Sequence, residues 1–293
     1  MWQRRASILF AMILLGPVAS NGAQPDAVQT ASTPTVAAER VALLPTEPRR
    51  TAELETAFPD DAVVWLGQGE DRALGVYRDV TRGKSIGVVI IVLGSGMSPD
   101  APVDATALRR SLPRARWATL TVALPDVPDA VLAPRQRDKL AAATATAADA
   151  KPASAPIGAP IAVGDPLPAR VRLRLDAAVK AAREKGSKVV VLGEDAAGAW
   201  LVWAQNQKLG ADAIIAINTA RNAPRIDGRQ PKESLAALES PALLLIEAPL
   251  DWSVDDRLAP DVELHRLPPG HPSAERLDRH IRGWLKRRFG SPG

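Results

Sequence analysis

The chain has 293 residues, 46% of them apolar, which is enough for one sizeable core and places it among single large globular domains with tails. It has no cysteine, so it carries neither a disulfide framework nor a thiolate metal site, and its three histidines lack paired metal-ligand spacing; no metal and no cofactor are expected. The formal charge of +4 comes from basic residues scattered along the chain rather than clustered, which argues for solubility and against nucleic acid as a partner.

The chain opens with "MWQRR", runs through the apolar "ASILFAMILLGPVA" and reaches small residues in "ASNGAQ". This is the three-part layout of a secretory signal peptide, with cleavage expected near Ser20 or Ala23. The apolar run is short for a bilayer span, which needs about 20 residues. An exported chain without disulfides fits a bacterial periplasm, with no membrane contact expected beyond the signal peptide. The segments are then a signal peptide over 1–23, a linker or disordered stretch over 24–58 rich in Pro, Thr and Ala, and a folded domain over 59–290. Residues 141–168, "AAATATAADAKPASAPIGAPIAVGDPLP", have no apolar period and read as a long surface insertion in that domain, where a lid would sit if there is one.

Within the domain, "AVVWLGQGEDRALGVYRDV" (Ala62 to Val80) alternates in two arms about a glycine-containing turn and predicts a hairpin. "GVVIIVLG" (Gly87 to Gly94) is a continuous β-branched run, the mark of a strand buried on both faces of a parallel sheet. A helix over Asp104 to Ser111 and a strand over Trp117 to Leu124 follow. Beyond the insertion, Val171, Leu175, Ala178, Val179 and Ala182 recur at helical spacing as far as Gly186. The remaining elements are a strand Lys188 to Leu192, a helix Ala196 to Leu209, a strand Ala213 to Ile217 and a helix Lys232 to Glu239. Strands Ala242 to Ile246 and Val262 to Leu267 and a helix Ala274 to Arg288 complete the chain. Strands alternating with helices over short loops demand crossovers on both faces of a parallel sheet: a three-layer α/β sandwich with an antiparallel N-terminal hairpin.

The stretch "VVVLGEDAAGAW" (Val189 to Trp200) has the rhythm of a strand turning sharply into a helix, and its small residues Gly193, Ala196, Ala197 and Gly198 suit a turn in which helix and strand pass closely. Together with the element order, with Asp251 just after the penultimate strand and with His271 just after the last one, "GEDAAGA" resembles the nucleophile turn of the α/β-hydrolase fold over roughly Asp61 to Phe289. More narrowly, "VLGSGMSPD", "GEDAAGAW" and "LPPGHPSAERLDRHIRGWLKRR" resemble a family of exported bacterial α/β-hydrolase-like proteins of unknown function.

The resemblance implies a chain order of nucleophile, acid and histidine, which Asp195, Asp251 and His271 obey. In the pattern G-x-S-x-G, Gly193 takes the first glycine, Asp195 the serine place and Ala197 the second glycine, so the hydroxyl is gone. Asp195 has three readings: a helix N-cap, a polar contact to a ligand in a retained pocket, or a carboxylate nucleophile of the kind used by haloalkane dehalogenases and epoxide hydrolases of this fold. The last lacks its usual company. Dehalogenases place Trp directly after the aspartate, where this chain has Ala196, and epoxide hydrolases use two lid tyrosines, where the single tyrosine, Tyr77, lies in the N-terminal hairpin.

Asp251 and His271 would act as a carboxylate orienting an imidazole, and both are also ordinary loop residues. Gly94, Ser95 and Gly96, in "GSGMSPD", occupy the place of an oxyanion or ligand loop, where glycine lets a backbone N–H approach a ligand closely; Ser95 and Ser98 are the hydroxyls there. His265 and His280 fall inside a strand and a helix and read as structural. Two functions remain open: a degenerate hydrolase-like domain binding a small molecule or an envelope protein, and a hydrolase of ester-like bonds using Asp195 or a His271-activated water.

Overall fold

The computed structural model describes residues 46–59, 62–68, 72–98, 103–126, 166–219, 226, 231–247, 258–268 and 273–290. In chain order these hold α1 (Thr46–Ala57), β1 (Val63–Leu66), β2 (Ala73–Arg78), β3 (Gly87–Leu93), α2 (Val103–Ser111), a short 3-10 turn (Leu112–Ala115) and β4 (Trp117–Ala123). There follow α3 (Leu167–Lys185), β5 (Val189–Glu194), α4 (Asp195–Asn206), β6 (Ala213–Ile217), α5 (Pro231–Ala236), β7 (Ala242–Glu247), β8 (Val262–Leu267) and α6 (Ala274–Phe289).

The eight strands form one sheet in the order β1-β2-β4-β3-β5-β6-β7-β8. β1 pairs antiparallel with β2, and β2 with β4, while every other neighbour is parallel. The expected α/β sandwich with its antiparallel hairpin is therefore present. Side chains alternate across β3: Val88, Ile90 and Val92 face a core shared with α3 and α4 through Leu175 and Leu201. Val89, Ile91 and Leu93 face the other layer, closed by Leu108 of α2 and by Ile281, Trp284 and Leu285 of α6. Both sides being apolar is what makes β3 a continuous hydrophobic run. The apolar side chains of "RHIRGWLKRRF" are thus spent on the core. Its Arg282 and Arg287 pair with Asp278 and Glu263, and Ser273 caps α6 by accepting from the Arg276 N–H.

One difference concerns the stretch 24–58, read from sequence as linker or disorder. Its last part is α1, packed through Leu54 on Leu74 and Val76 of β2. The helix has a single deeply buried apolar residue, too little for a hydrophobic period, and polar contacts described below hold its other end. Of the insertion at 141–168, Pro166 takes the cap position of α3, Leu167 and Pro168 open the helix, and the rest lies outside the described residues. So do residues 1–45, including the expected signal peptide. Among the described residues no helix is long and apolar enough to cross a membrane.

The strand order fixes where a site belongs. From β3 the chain passes to β4 on one side, and from β5 it passes to β6 on the other, so the direction of winding reverses between β3 and β5. In open α/β sheets the loops leaving the carboxyl ends of two such strands diverge and leave a crevice. Here those two exits are Gly94–Ser98 and the β5-to-α4 turn.

Candidate functional site

At the end of β5 there is no loop at all. Glu194 is still extended (φ −109°, ψ 148°) and takes the cap position of α4, with no capping hydrogen bond from its side chain. Asp195, at φ 48°, opens the helix. The helix cap, one of the three readings of Asp195, thus falls one residue earlier, at Glu194. A cap residue is extended, as Glu194 is, whereas Asp195 takes the left-handed backbone that reverses the chain within one residue. Asp and Asn are the non-glycine residues that accept this geometry most readily.

The turn is so tight that strand and helix touch backbone to backbone. A Cβ on Gly193 would lie 2.8 Å from Leu201 Cδ1 and 2.9 Å from the Gly198 nitrogen. One on Gly198 would lie 2.9 Å from the Gly193 carbonyl oxygen and collide outright with the Thr219 methyl. Gly193, Ala197 and Gly198 are buried, and Asp195 is half-buried at the apex. The small residues noted in the sequence therefore do a steric job, and Gly198 rather than Ala197 carries the second close approach.

The other wall of the crevice is the loop after β3. Gly96 has φ 80°, and nothing lies within 4 Å of the place a Cβ would take. Ser95 Oγ donates to the Pro125 carbonyl oxygen at 2.7 Å, and the Gly96 N–H donates to Asp126 Oδ1 at 3.0 Å. Asp126, just past β4, also accepts from Arg50 of α1, whose Nη2 lies 2.9 Å and 2.8 Å from the two carboxylate oxygens; Arg50 Nη1 donates to the Met97 carbonyl at 3.3 Å. One turn earlier on α1, Glu47 pairs with Arg174 at 2.5 Å and with Arg170 at 3.5 Å, both on α3.

Next to the elbow, the exit of β6 carries a second left-handed residue. Asn218 is buried at φ 50°, its N–H donating to the Leu245 carbonyl at 2.9 Å. Since Glu194 is in register with Ile217, Asp195 and Asn218 stand side by side one step beyond the paired strands. Sequence reasoning missed Asn218, Arg50 and Asp126. The signal for Asn218 was faint, an Asn directly after an apolar strand; Arg50 and Asp126 had none, because their partners are far away in the chain.

Asp251 and His271, the expected acid and histidine, lie outside the described residues. His265 and His280 meet each other instead, ring centroids 5.6 Å apart where β8 packs on α6. Tyr77 pairs with Leu120 in the middle of β4 and lies beside Lys185, at the end of α3 that leads into β5, away from the carboxyl ends of the strands. Burial, with Asp79 next to it, pushes its phenol up to about 12.

Residues 5–243 match the family described as "Protein of unknown function (DUF3530)". The chain belongs to that family. The match spans the β3 loop and the elbow and stops inside β7, before Asp251 and His271. No curated protein matches this DUF3530 chain. In three dimensions it is similar to Est1E from Butyrivibrio proteoclasticus, at a TM-score of 0.53 and 9% identity, over 77% of this chain and 98% of the other. It is also similar to a dienelactone hydrolase from Anabaena variabilis, at a TM-score of 0.53 and 16% identity, over 78% and 97% of the two chains. An alpha-beta serine hydrolase homologue from Coxiella burnetii gives a TM-score of 0.51 at 10% identity, over 79% and 99%. At such identities the likeness is one of fold, and the fold of this DUF3530 member is that of the α/β hydrolases.

Proposed function

We propose that this protein is an exported, periplasmic α/β-hydrolase-like domain whose elbow survives without its serine, and that it binds a small molecule or an envelope protein in the crevice between the exits of β3 and β5. One observation carries the reading: the elbow keeps its left-handed apex and its glycine contacts, while the apex residue is Asp195. The left-handed backbone at a non-glycine apex supports this reading, since strain of this kind concentrates where a side chain is presented to a ligand. A half-buried carboxylate at a helix amino terminus is stabilised by the free N–H groups there, and it offers an acceptor to a ligand's hydroxyl or amine.

The second reading is a hydrolase of ester-like bonds. The order Asp195, Asp251, His271 favours it, because a carboxylate at the apex can add to the ester carbonyl and expel the alcohol, which takes up a proton, and a His271-activated water can then cleave the resulting anhydride, releasing the acid and regenerating the carboxylate.

The two readings separate by turnover. The purified mature chain is incubated with p-nitrophenyl acetate and butyrate, beside Asp195→Asn and His271→Ala, and checked for a mass increase on Asp195 and for labelling by a fluorophosphonate. We expect no release above buffer and no labelling. Turnover abolished by both substitutions, with an adduct on Asp195, makes the protein an enzyme. Labelling that vanishes in Ser95→Ala or Ser98→Ala would move the active centre to the β3 loop. For export, cell fractionation with N-terminal sequencing should find a soluble chain beginning after Ser20 to Ala23; full-length chain held in the inner membrane with Met1 attached refutes it.

A further inference from the structure

We infer that α1 is a strap that sets the state of the β3 loop: docking of α1 and closure of Gly94–Ser98 are a single coupled state, with Asp126 as the joint. The inference rests on the reading that this loop lines the ligand crevice. Asp126 is the shared acceptor. Its carboxylate takes the Gly96 N–H from the loop and both contacts of Arg50 Nη2 from α1, and Arg50 simultaneously holds the loop's Met97 carbonyl. The Arg50 and Asp126 side chains are 11% and 25% exposed, so neither charge is well solvated and each depends on the other.

Without Arg50, the Asp126 carboxylate gains more by turning to water than by holding one amide, and the Gly96 N–H is released. Conversely, a loop that lifts away takes the Met97 carbonyl from Arg50. The Gly96 hydrogen bond and the Arg50 ion pair share one carboxylate, and with the Arg50–Met97 hydrogen bond they form and break together.

The helix is built to move as a unit. Its two anchors, Leu54 on β2 and Glu47 on α3, lie at opposite ends and on different surfaces, with Arg50 between them. Loosening either anchor changes how well Arg50 can reach Asp126. In the docked state the Gly96 N–H, on an exposed glycine at φ 80°, is occupied by an internal carboxylate. A ligand oxygen that uses this amide must displace Asp126 and thereby weaken α1, so ligand binding and strap docking oppose one another, each reducing the other by the same factor.

Hydrogen exchange followed by mass spectrometry on the full chain tests the coupling without any ligand. Leu54→Ala loosens α1 at a point that touches neither Asp126 nor the loop. It should speed exchange in the peptide over 94–98 as well as in that over 46–57, by about tenfold in each, while the β3 residues 88–92 stay protected. Arg50→Met should do the same, and Arg49→Gln, on the exposed face of α1, should change neither peptide. Faster exchange in α1 with the loop at its wild-type rate overturns the strap. Should Leu54→Ala also open β3, the milder Leu54→Val is read by the same criterion. A chain that passes this test yet binds nothing in the crevice refutes the functional reading and leaves the strap standing; ligand binding indifferent to α1 does the reverse.

Discussion

The two walls of the crevice are built from opposite physics. The elbow wall holds its shape by exclusion: Gly193, Gly198, Leu201 and Thr219 leave little volume for another conformation, and the turn presents the charged groups Glu194 and Asp195. The β3-loop wall has open space beside Gly96 and holds its shape by charge, through Arg50, Asp126 and Glu47 reaching in from distant parts of the chain. Close packing makes a rigid wall, because its contacts do not exchange with water, whereas an ion pair near the surface can trade its partner for water when the loop lifts. One wall is thus suited to presenting a fixed group and the other to yielding.

The largest expected effect is at the elbow. Gly198→Ala puts a methyl into the Thr219 side chain and the Gly193 carbonyl, and should cost about 3 kcal/mol in urea unfolding. At the loop, Asp126→Asn keeps an acceptor for the Gly96 N–H but removes the charge facing Arg50, and should cost about 1–2 kcal/mol. Salt sharpens the contrast: in 1 M sodium chloride the Asp126→Asn deficit should shrink and the Gly198→Ala deficit should not. Equal salt responses would mean that the loop is also held by packing.

At the apex itself, Asp195→Asn should be nearly neutral, because Asn accepts the left-handed backbone, while Asp195→Ala should cost about 1 kcal/mol. An Ala variant as stable as wild type would show that the turn is not strained at this position.

The smallest effect lies away from both walls, on His280. Its pKa is lowered by burial first, then by His265, Arg276, Arg279 and Arg287. With the folded value below the unfolded one, the unfolded chain binds more protons between the two, so stability falls as pH drops below about 6.5 and levels off beneath the folded value. His280→Gln should flatten that part of the stability profile, measured by thermal unfolding between pH 7 and 5. An unchanged slope would mean that the imidazole titrates alike in both states.

These two walls also explain what the sequence discloses. β3, β5 and β6 are legible because a strand covered on both faces must be apolar at every position, and Gly87–Leu93 and Ala213–Ile217 are. The elbow is legible because its constraint is local, with glycines four and five residues from one another's contacts. Its boundaries shift, the strand running on to Glu194 and the helix starting at Asp195, because one left-handed residue replaces an expected turn of several. Helix α1 stays hidden in "TEPRRTAELETA", since its ties to Asp126 and Arg174 span 76 and more than a hundred residues. Charge pairs of that range leave no periodic trace, and an Arg at position 50 looks like any solvated Arg.

The last helix has a consequence for how the chain comes into being. Trp284, Leu285 and Ile281 complete the layer that covers Leu108 and Trp117, and the Ser111 hydroxyl meets the Asp278 carboxylate across 167 residues of sequence. A polypeptide that emerges amino end first therefore has only α2 and the turn after it on this side of its sheet until α6 appears. Folding to completion waits until α6 has been made, and a chain cut short before α6 displays apolar strand and α2 surface that a chaperone or protease can recognise, whatever happens at the other end of the strands.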